Sequence, residues 1–248
     1  MTLRERQFAI IAGSGFRDFG VDAEGKLVDT PFGPPSGPVR ALAYAEQVVF
    51  LLPRHGDDLL IPPHRINYRA NMQALKMLGV EAVIAMNTVG VINANLHPGQ
   101  IAIPDQLIDY TWGREHSIYE GVERIDHIDF TQPLTESLRQ DLLKAADDVG
   151  VDIYDGGVYA ATQGPRLETA AEVDRIERDG ADFIGMTAMP EAALARELKL
   201  DYACLSLIVN YAAGRGNKPI HDDLEAATVT AKMQAMRVLR LFFGVMEE

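Results

Sequence analysis

"INYRANMQALKMLGVEAVIAMNTVG" (residues 66–90) decides the fold class. Ala70, Ala74, Leu75 and Leu78 recur at helical spacing, and Gly79 follows as a helix stop. Two residues later "AVIAMN" (82–87) is an unbroken apolar run, as expected of a strand covered on both faces. A helix feeding such a strand is one step of an α/β fold. The step repeats in both directions. Strands are predicted at "FAIIAG" (8–13), "VVFLLP" (48–53), "FIGM" (183–186) and "YACLSLIVN" (202–210). Helices are predicted at 134–150, 168–180 and 190–200, the last with Pro190 at its first turn, and a long amphipathic one at about 222–243. Residues 94–111 add strands outside this rhythm. No linker, repeat or low-complexity tract interrupts it, so residues 1–248 are read as one α/β domain with a mostly parallel or mixed sheet.

Composition narrows the function classes. The chain carries 23 Lys and Arg against 36 Asp and Glu, a net charge of −13. That argues against nucleic acid as a partner, because such binding runs on phosphate neutralisation. No apolar run approaches the ~18 residues of a membrane span. The charged start "MTLRERQFAIIAG" lacks the apolar core of a signal peptide. With a single cysteine, Cys204, it points to a reducing, cytoplasmic setting.

Against this acidic background "LLPRHGDDLLIPPHRINYRA" (51–70) gathers Arg54, His55, His64, Arg65 and Arg69. The last three are expected to solvate a helix start. Arg54 and His55 sit at a strand end, where ligands of α/β sheets bind. The other strand ends read "GSGF" (13–16), "MNTVG" (86–90), "GMTAMPE" (185–191) and "VNYAAG" (209–214). Backbone N–H groups and a hydroxyl at Ser14 suit a phosphate, an arginine can grip one by two parallel bonds, and Thr187 adds a hydroxyl. The cations therefore suit a small phosphate and not a polymer. Taken singly each piece has a plainer reading: "GSG" is a tight turn, and Arg54-His55 a surface pair. Neither a dinucleotide fingerprint nor a P-loop is present. Ser14 lacks a nucleophile elbow. His127 and Asp129 have no third ligand at metal spacing, so no metal is expected. Cys204 lies in an apolar run and is read as core.

In combination and order, "IIAGSGF", "PRHG", "PPHRINYRANMQALKMLGVEAVIAMNTVG", "DQLIDYT", "TQGPRLET" and "GMTAMPEAALARE" resemble the trimeric purine nucleoside phosphorylase and methylthioadenosine phosphorylase superfamily. The resemblance runs from about Phe8 to the last helix, and it is stronger to the bacterial methylthioinosine members. It implies a mixed central sheet with a distorted barrel, surrounded by helices, and a homotrimer. It implies phosphorolysis: inorganic phosphate attacks C1′ of the sugar as the purine leaves, with no cofactor. Ser14, Arg54, His55, Asn87, Thr88 and Thr187 are then expected around phosphate, with Asn87-Thr88 as a turn. Met186 is expected against the ribose, Leu167 beside the substrate, and His127 at the sugar 5′ end of a neighbouring subunit.

The same resemblance bears on the base. Where 6-aminopurine enzymes carry two aspartates, this chain has Asn210 and Ala212. The Asn210 amide is expected to donate to N7 and O6, and Glu168 to accept from N1–H of a 6-oxopurine. The alternative is that Glu168 only caps its helix. At the 5′ position Ile220 and His221 are adjacent, and they imply opposite substituents: an apolar methylthio group or a hydroxyl. S-methyl-5′-thioinosine is the expected substrate. S-methyl-5′-thioadenosine, or inosine and guanosine, are the alternatives within the class, and a hydrolytic or purely binding protein lies outside it.

Overall fold

The computed structural model describes the chain apart from residues 1–5, 17–18, 21, 46, 120–124, 218, 223 and 246–248. The charged start of the sequence and the exact beginning of the last helix therefore lie outside the described residues. Among the described residues eleven strands form one mixed sheet. Its centre is β1 (Phe8–Ala12), β4 (Gln47–Pro53), β5 (Ala82–Val91) and β11 (Asp201–Tyr211). These are the continuous apolar runs of the sequence. β1 pairs in parallel with β4 and β5, and β11 runs parallel to β5 along its other edge. Beyond β4 lie β3 (Val39–Tyr44) and the short β2 (Gly25–Lys26), both antiparallel.

The remaining strands close a ring. Segment 101–109 supplies β6 (Ile101–Ile103) and β7 (Gln106–Asp109); segment 153–161 supplies β8 (Ile153–Asp155) and β9 (Val158–Ala161). The two segments pair twice, β6 with β8 and β7 with β9. β6 also pairs with β11, while β9 pairs with β10 (Phe183–Gly185), which returns to β5. The circuit β5, β11, 101–109, 153–161, β10 is the expected distorted barrel. Each bent segment breaks near its middle, at Pro104-Asp105 and at Gly156-Gly157. Tyr154 and Phe183 stack edge to face at 5.9 Å in its core.

Helices cover both faces, which is why the central strands are apolar on both sides. α1 (Tyr68–Met77) and α4 (Ala188–Glu197) share one buried cluster with Leu75, Leu194 and Cys204. α2 (Glu136–Asp148) and α5 (Leu224–Phe242) share the other, with Leu138, Leu142 and Leu239 fully buried. α3 (Ala170–Arg178) packs Val173 and Ile176 outside the barrel. α1 begins where the Asn67 side chain accepts from the Ala70 N–H at 3.1 Å, and it stops before Gly79, whose φ of 80° suits glycine. In α4 the backbone breaks at Met189, so the regular helix starts at Pro190, as the sequence suggests. Among the described residues no helix is long and apolar enough to cross a membrane.

The surroundings of α1 correct one expectation. Only Arg65 is exposed. Arg69 pairs with Glu115 at 3.0 Å and lies over the Phe32 ring at 4.9 Å, and His64 is half-buried. These residues are packing elements more than solvated charge.

Candidate active site

One edge of β5 holds the site. The other edge is paired to β11 throughout. On this edge β1 covers Ala82 to Ala85, and β10 joins only at Gly90 and Val91. Between them the backbone at residues 86–89 has no strand beside it. The segment leaving β1, Gly13-Ser14, and the segment leaving β10, Met186-Thr187, both open onto that gap. A cavity of about 340 Å³ fills it. This is a switch point of the kind where α/β sheets bind ligands, and the volume suits a small molecule.

At one end of the cavity are Ser14, Arg54, His55, Thr88 and Thr187. Ser14 Oγ and Thr88 Oγ1 are 3.4 Å apart. Thr187 precedes α4, and its hydroxyl makes no capping bond to that helix. Asn87 and Thr88 are not a turn: both lie within β5, and successive strand residues face opposite sides. Asn87 Oδ1 accepts from Ser206 at 2.7 Å, and its buried Nδ2 has no partner.

Arg54 is fully buried and already engaged. Nε and Nη2 donate to the two oxygens of Glu191 at 2.9 and 2.8 Å. Nη1 donates at 2.7 Å to Met86 O, the first carbonyl of the unpaired edge. The side fork of the guanidinium thus belongs to Glu191, and a two-bond grip on a ligand falls to the Nη groups. One further N–H on each Nη remains for a ligand. Burial works against the Arg54 charge, but the Glu191 carboxylate outweighs it and holds the pKa above the ordinary guanidinium value. Tyr202 O–H donates to Glu191 at 2.8 Å, and burial raises its pKa well above the usual phenol range. Burial likewise lifts the Cys204 thiol to about 11, so Cys204 is an inert core residue.

Gly13 is required by this packing. A Cβ there would sit 2.7 Å from Met86 O and 3.0 Å from Arg54 Nη1. Gly13→Ala is therefore expected to cost about 1–3 kcal/mol through overpacking. A lower Tm together with weaker phosphate binding is the result that checks it; an unchanged Tm contradicts it.

The other end carries base-directed groups. Asn210 follows a bulge in β11, where the register with β5 shifts between Ile208 and Asn210. A bulge re-aims the side chain after it. The Asn210 amide donates to Tyr211 O at 2.7 Å. That leaves one N–H and the carbonyl oxygen, so in this rotamer it serves N7 or O6 and not both. Glu168 lines the same cavity, and one of its oxygens accepts from Thr162 Oγ1 at 2.7 Å. It does not cap α3: Thr169 does, in a reciprocal capping box with Glu172. The Thr162 backbone N–H donates in turn to Gly185 O at 2.8 Å, at the root of Met186 and Thr187. Leu167, Met186, Ala212, Ile220 and His221 complete the lining, with Ile220 half-buried and His221 exposed. His127 alone of the expected residues is elsewhere, exposed on its own chain's surface.

Two site-building residues escaped the sequence reading. Glu191 was passed over as part of a strand-end motif. Arg114 is nearly buried and donates to the carbonyls of Thr162, Gln163, Met186 and Met189 at 2.6–3.1 Å. It thereby ties the Glu168 side of the cavity to the Met186 side. Among the described residues no cluster of three metal-ligating side chains occurs.

Comparison with known proteins agrees with this geometry. Residues 7–243 match the family described as the phosphorylase superfamily. A probable S-methyl-5′-thioinosine phosphorylase of Pseudomonas syringae pv. tomato is 49% identical over 86% of this chain and 88% of its own. The 6-oxopurine nucleoside phosphorylase of Pyrococcus furiosus is 42% identical, over 86% of this chain and 83% of its own. Among solved structures, methylthioadenosine phosphorylase from Schistosoma mansoni in complex with adenine aligns with a TM-score of 0.90 at 28% identity, covering 97% of this chain and 91% of that one. Fold, cavity and relatives lead to one conclusion: this chain belongs to the phosphorylase superfamily.

Proposed function

We infer that the protein cleaves the N-glycosidic bond of a purine 5′-methylthionucleoside with inorganic phosphate, giving free purine and 5-methylthioribose 1-phosphate, and that it prefers the 6-oxopurine, S-methyl-5′-thioinosine. The observation that carries this reading is one cavity with anion donors at Ser14, Arg54 and Thr187 and purine-directed groups at Asn210 and Glu168. The sugar lies between, against Met186. Phosphate attacks C1′ as positive charge builds on the sugar and negative charge on the base. Phosphate then stabilises the sugar, and the free Asn210 N–H stabilises the base at N7, where it acts mostly in the transition state.

Glu168 suits N1–H of a 6-oxopurine and opposes the bare N1 of adenine. Hydrogen-bonding sites discriminate by ~10⁴ where apolar pockets manage far less. Ile220 and Leu224 give the 5′ side an apolar lining suited to a methylthio group. Methylthioadenosine is the second reading, favoured by the name of the aligned structure. No cofactor or metal has a part in the proposed step; phosphate is the co-substrate. Incubation with methylthioinosine should release hypoxanthine only when phosphate is present, with a sugar 1-phosphate seen by phosphorus NMR. Release without phosphate would make the protein a hydrolase.

The proposal extends to assembly as a homotrimer. His127 is exposed and away from its own cavity, as suits a residue lent to a neighbour's sugar 5′ end. Sedimentation should show a trimer, and His127→Ala should raise KM for methylthioinosine. A fully active monomer at assay concentration contradicts this.

A further inference from the structure

The phosphate end of the cavity has little net charge to offer. Among the described residues its one fixed cation, Arg54, is already neutralised by the buried Glu191 at 2.8 Å. What remains is directional hydrogen bonding, and His55 is the informative group.

His55 Nδ1 lies 2.8 Å from Ile61 O. A carbonyl only accepts, so Nδ1 carries a proton. A neutral ring then has a bare Nε2, which accepts and cannot donate. Burial, then the neighbouring Arg54 charge, hold the His55 pKa below its ordinary value despite the opposing Ile61 bond and the Glu191 carboxylate. The ring is therefore neutral at working pH. Among the described residues the one hydrogen bond of the His55 ring is that of Nδ1 to Ile61 O, and His55 lines the cavity.

We propose that His55 selects the oxyanion by its proton: Nε2 accepts a hydrogen bond from the P–OH of inorganic phosphate and turns its lone pair against an oxyanion that has no O–H. This deepens the phosphorolysis reading and rests on it. Phosphate and arsenate keep an O–H near neutral pH, whereas sulfate does not. The bond also parks the protonated oxygen at His55 and leaves bare oxygens to face C1′. Ser14, Thr187 and the remaining Arg54 N–H groups donate to either anion alike, so the contrast between anions isolates His55.

The test is calorimetric titration of the whole protein at about pH 8, where phosphate and sulfate are both dianions and only phosphate keeps a proton. A hydrogen bond to a charged group corresponds to a factor of about 10–150 in affinity. Phosphate and arsenate should each bind at least about tenfold more tightly than sulfate. His55→Asn can keep the donation to Ile61 O but has no acceptor at the Nε2 position, so it should weaken phosphate and leave sulfate unchanged. His55→Gln offers both an acceptor and a donor there, so it should hold phosphate and strengthen sulfate. Both variants shrink the ratio, which a merely structural role would not. A wild-type ratio below that, or a ratio that neither variant shrinks by at least about threefold, overturns the proposal. Failure of phosphorolysis itself would appear separately, as absent base release from methylthioinosine in protein whose anion contrast is intact.

Discussion

Arg54→Ala is expected to lose stability and phosphate use together. The substitution leaves Glu191, fully buried, as a carboxylate without its cation. Breaking a buried pair from one side costs about 3–5 kcal/mol, a Tm fall on the order of 10 °C for a chain of this size. Met86 O, at the start of the unpaired stretch of β5, also loses its donor. Loss of phosphate use in this variant alone would therefore be ambiguous. Arg54→Met with Glu191→Met separates the effects. An apolar pair of similar bulk restores much of the stability, though Tyr202 O–H loses its acceptor. Phosphate binding should stay weaker by about 10–150-fold, the worth of hydrogen bonds to a charged group. A double variant that is stable and has wild-type KM for phosphate would remove Arg54 from the anion site and leave it a purely structural residue.

The second large effect concerns the base. Asn210→Ala should lower kcat by about 10²–10³, the usual cost of one donor aimed at developing charge, with a smaller change in KM. Shifting the preference needs more. An aspartate at 210 can donate to N7 when protonated and can accept from a 6-amino group, and Glu168→Ser removes the carboxylate that opposes adenine. Ala212→Asp completes the pattern of the 6-aminopurine enzymes, but Ala212 is only 4% exposed and packs with Ile92 and Ile184. A carboxylate there carries a burial penalty. The double variant Asn210→Asp, Glu168→Ser is thus the cleaner test. Its ratio of kcat/KM for methylthioadenosine over methylthioinosine should rise by at least about tenfold. An unchanged ratio would mean that neither residue reads the purine six-position.

Much of this was legible because burial on both faces leaves a blunt mark. β1, β4, β5 and β11 are continuous apolar runs, and reading the residues just beyond them led to the cavity. The strands that were missed lack that mark. β3 carries Arg40, whose charge is answered by both oxygens of Asp57 at 2.8 Å. Segment 153–161 is interrupted by Gly156 and Gly157, with φ of 91° and 92° where β8 gives way to β9. The family resemblance implied a turn at Asn87-Thr88. They lie in a strand because β11 pairs with β5 across them. Glu191 and Arg114 leave no local trace. One is paired to an arginine 137 positions away, and the other bonds backbone carbonyls, which any residue supplies. Such partners emerge only when the chain is folded.

The most direct measurement is the pair of specificity constants of the wild-type protein for S-methyl-5′-thioinosine and S-methyl-5′-thioadenosine, each with and without phosphate. Turnover of both should vanish without phosphate, and methylthioinosine should lead by at least about 10² with it. Equal turnover without phosphate, or a lead for methylthioadenosine, would contradict the assignment of Arg54 in the first case and of Glu168 and Asn210 in the second.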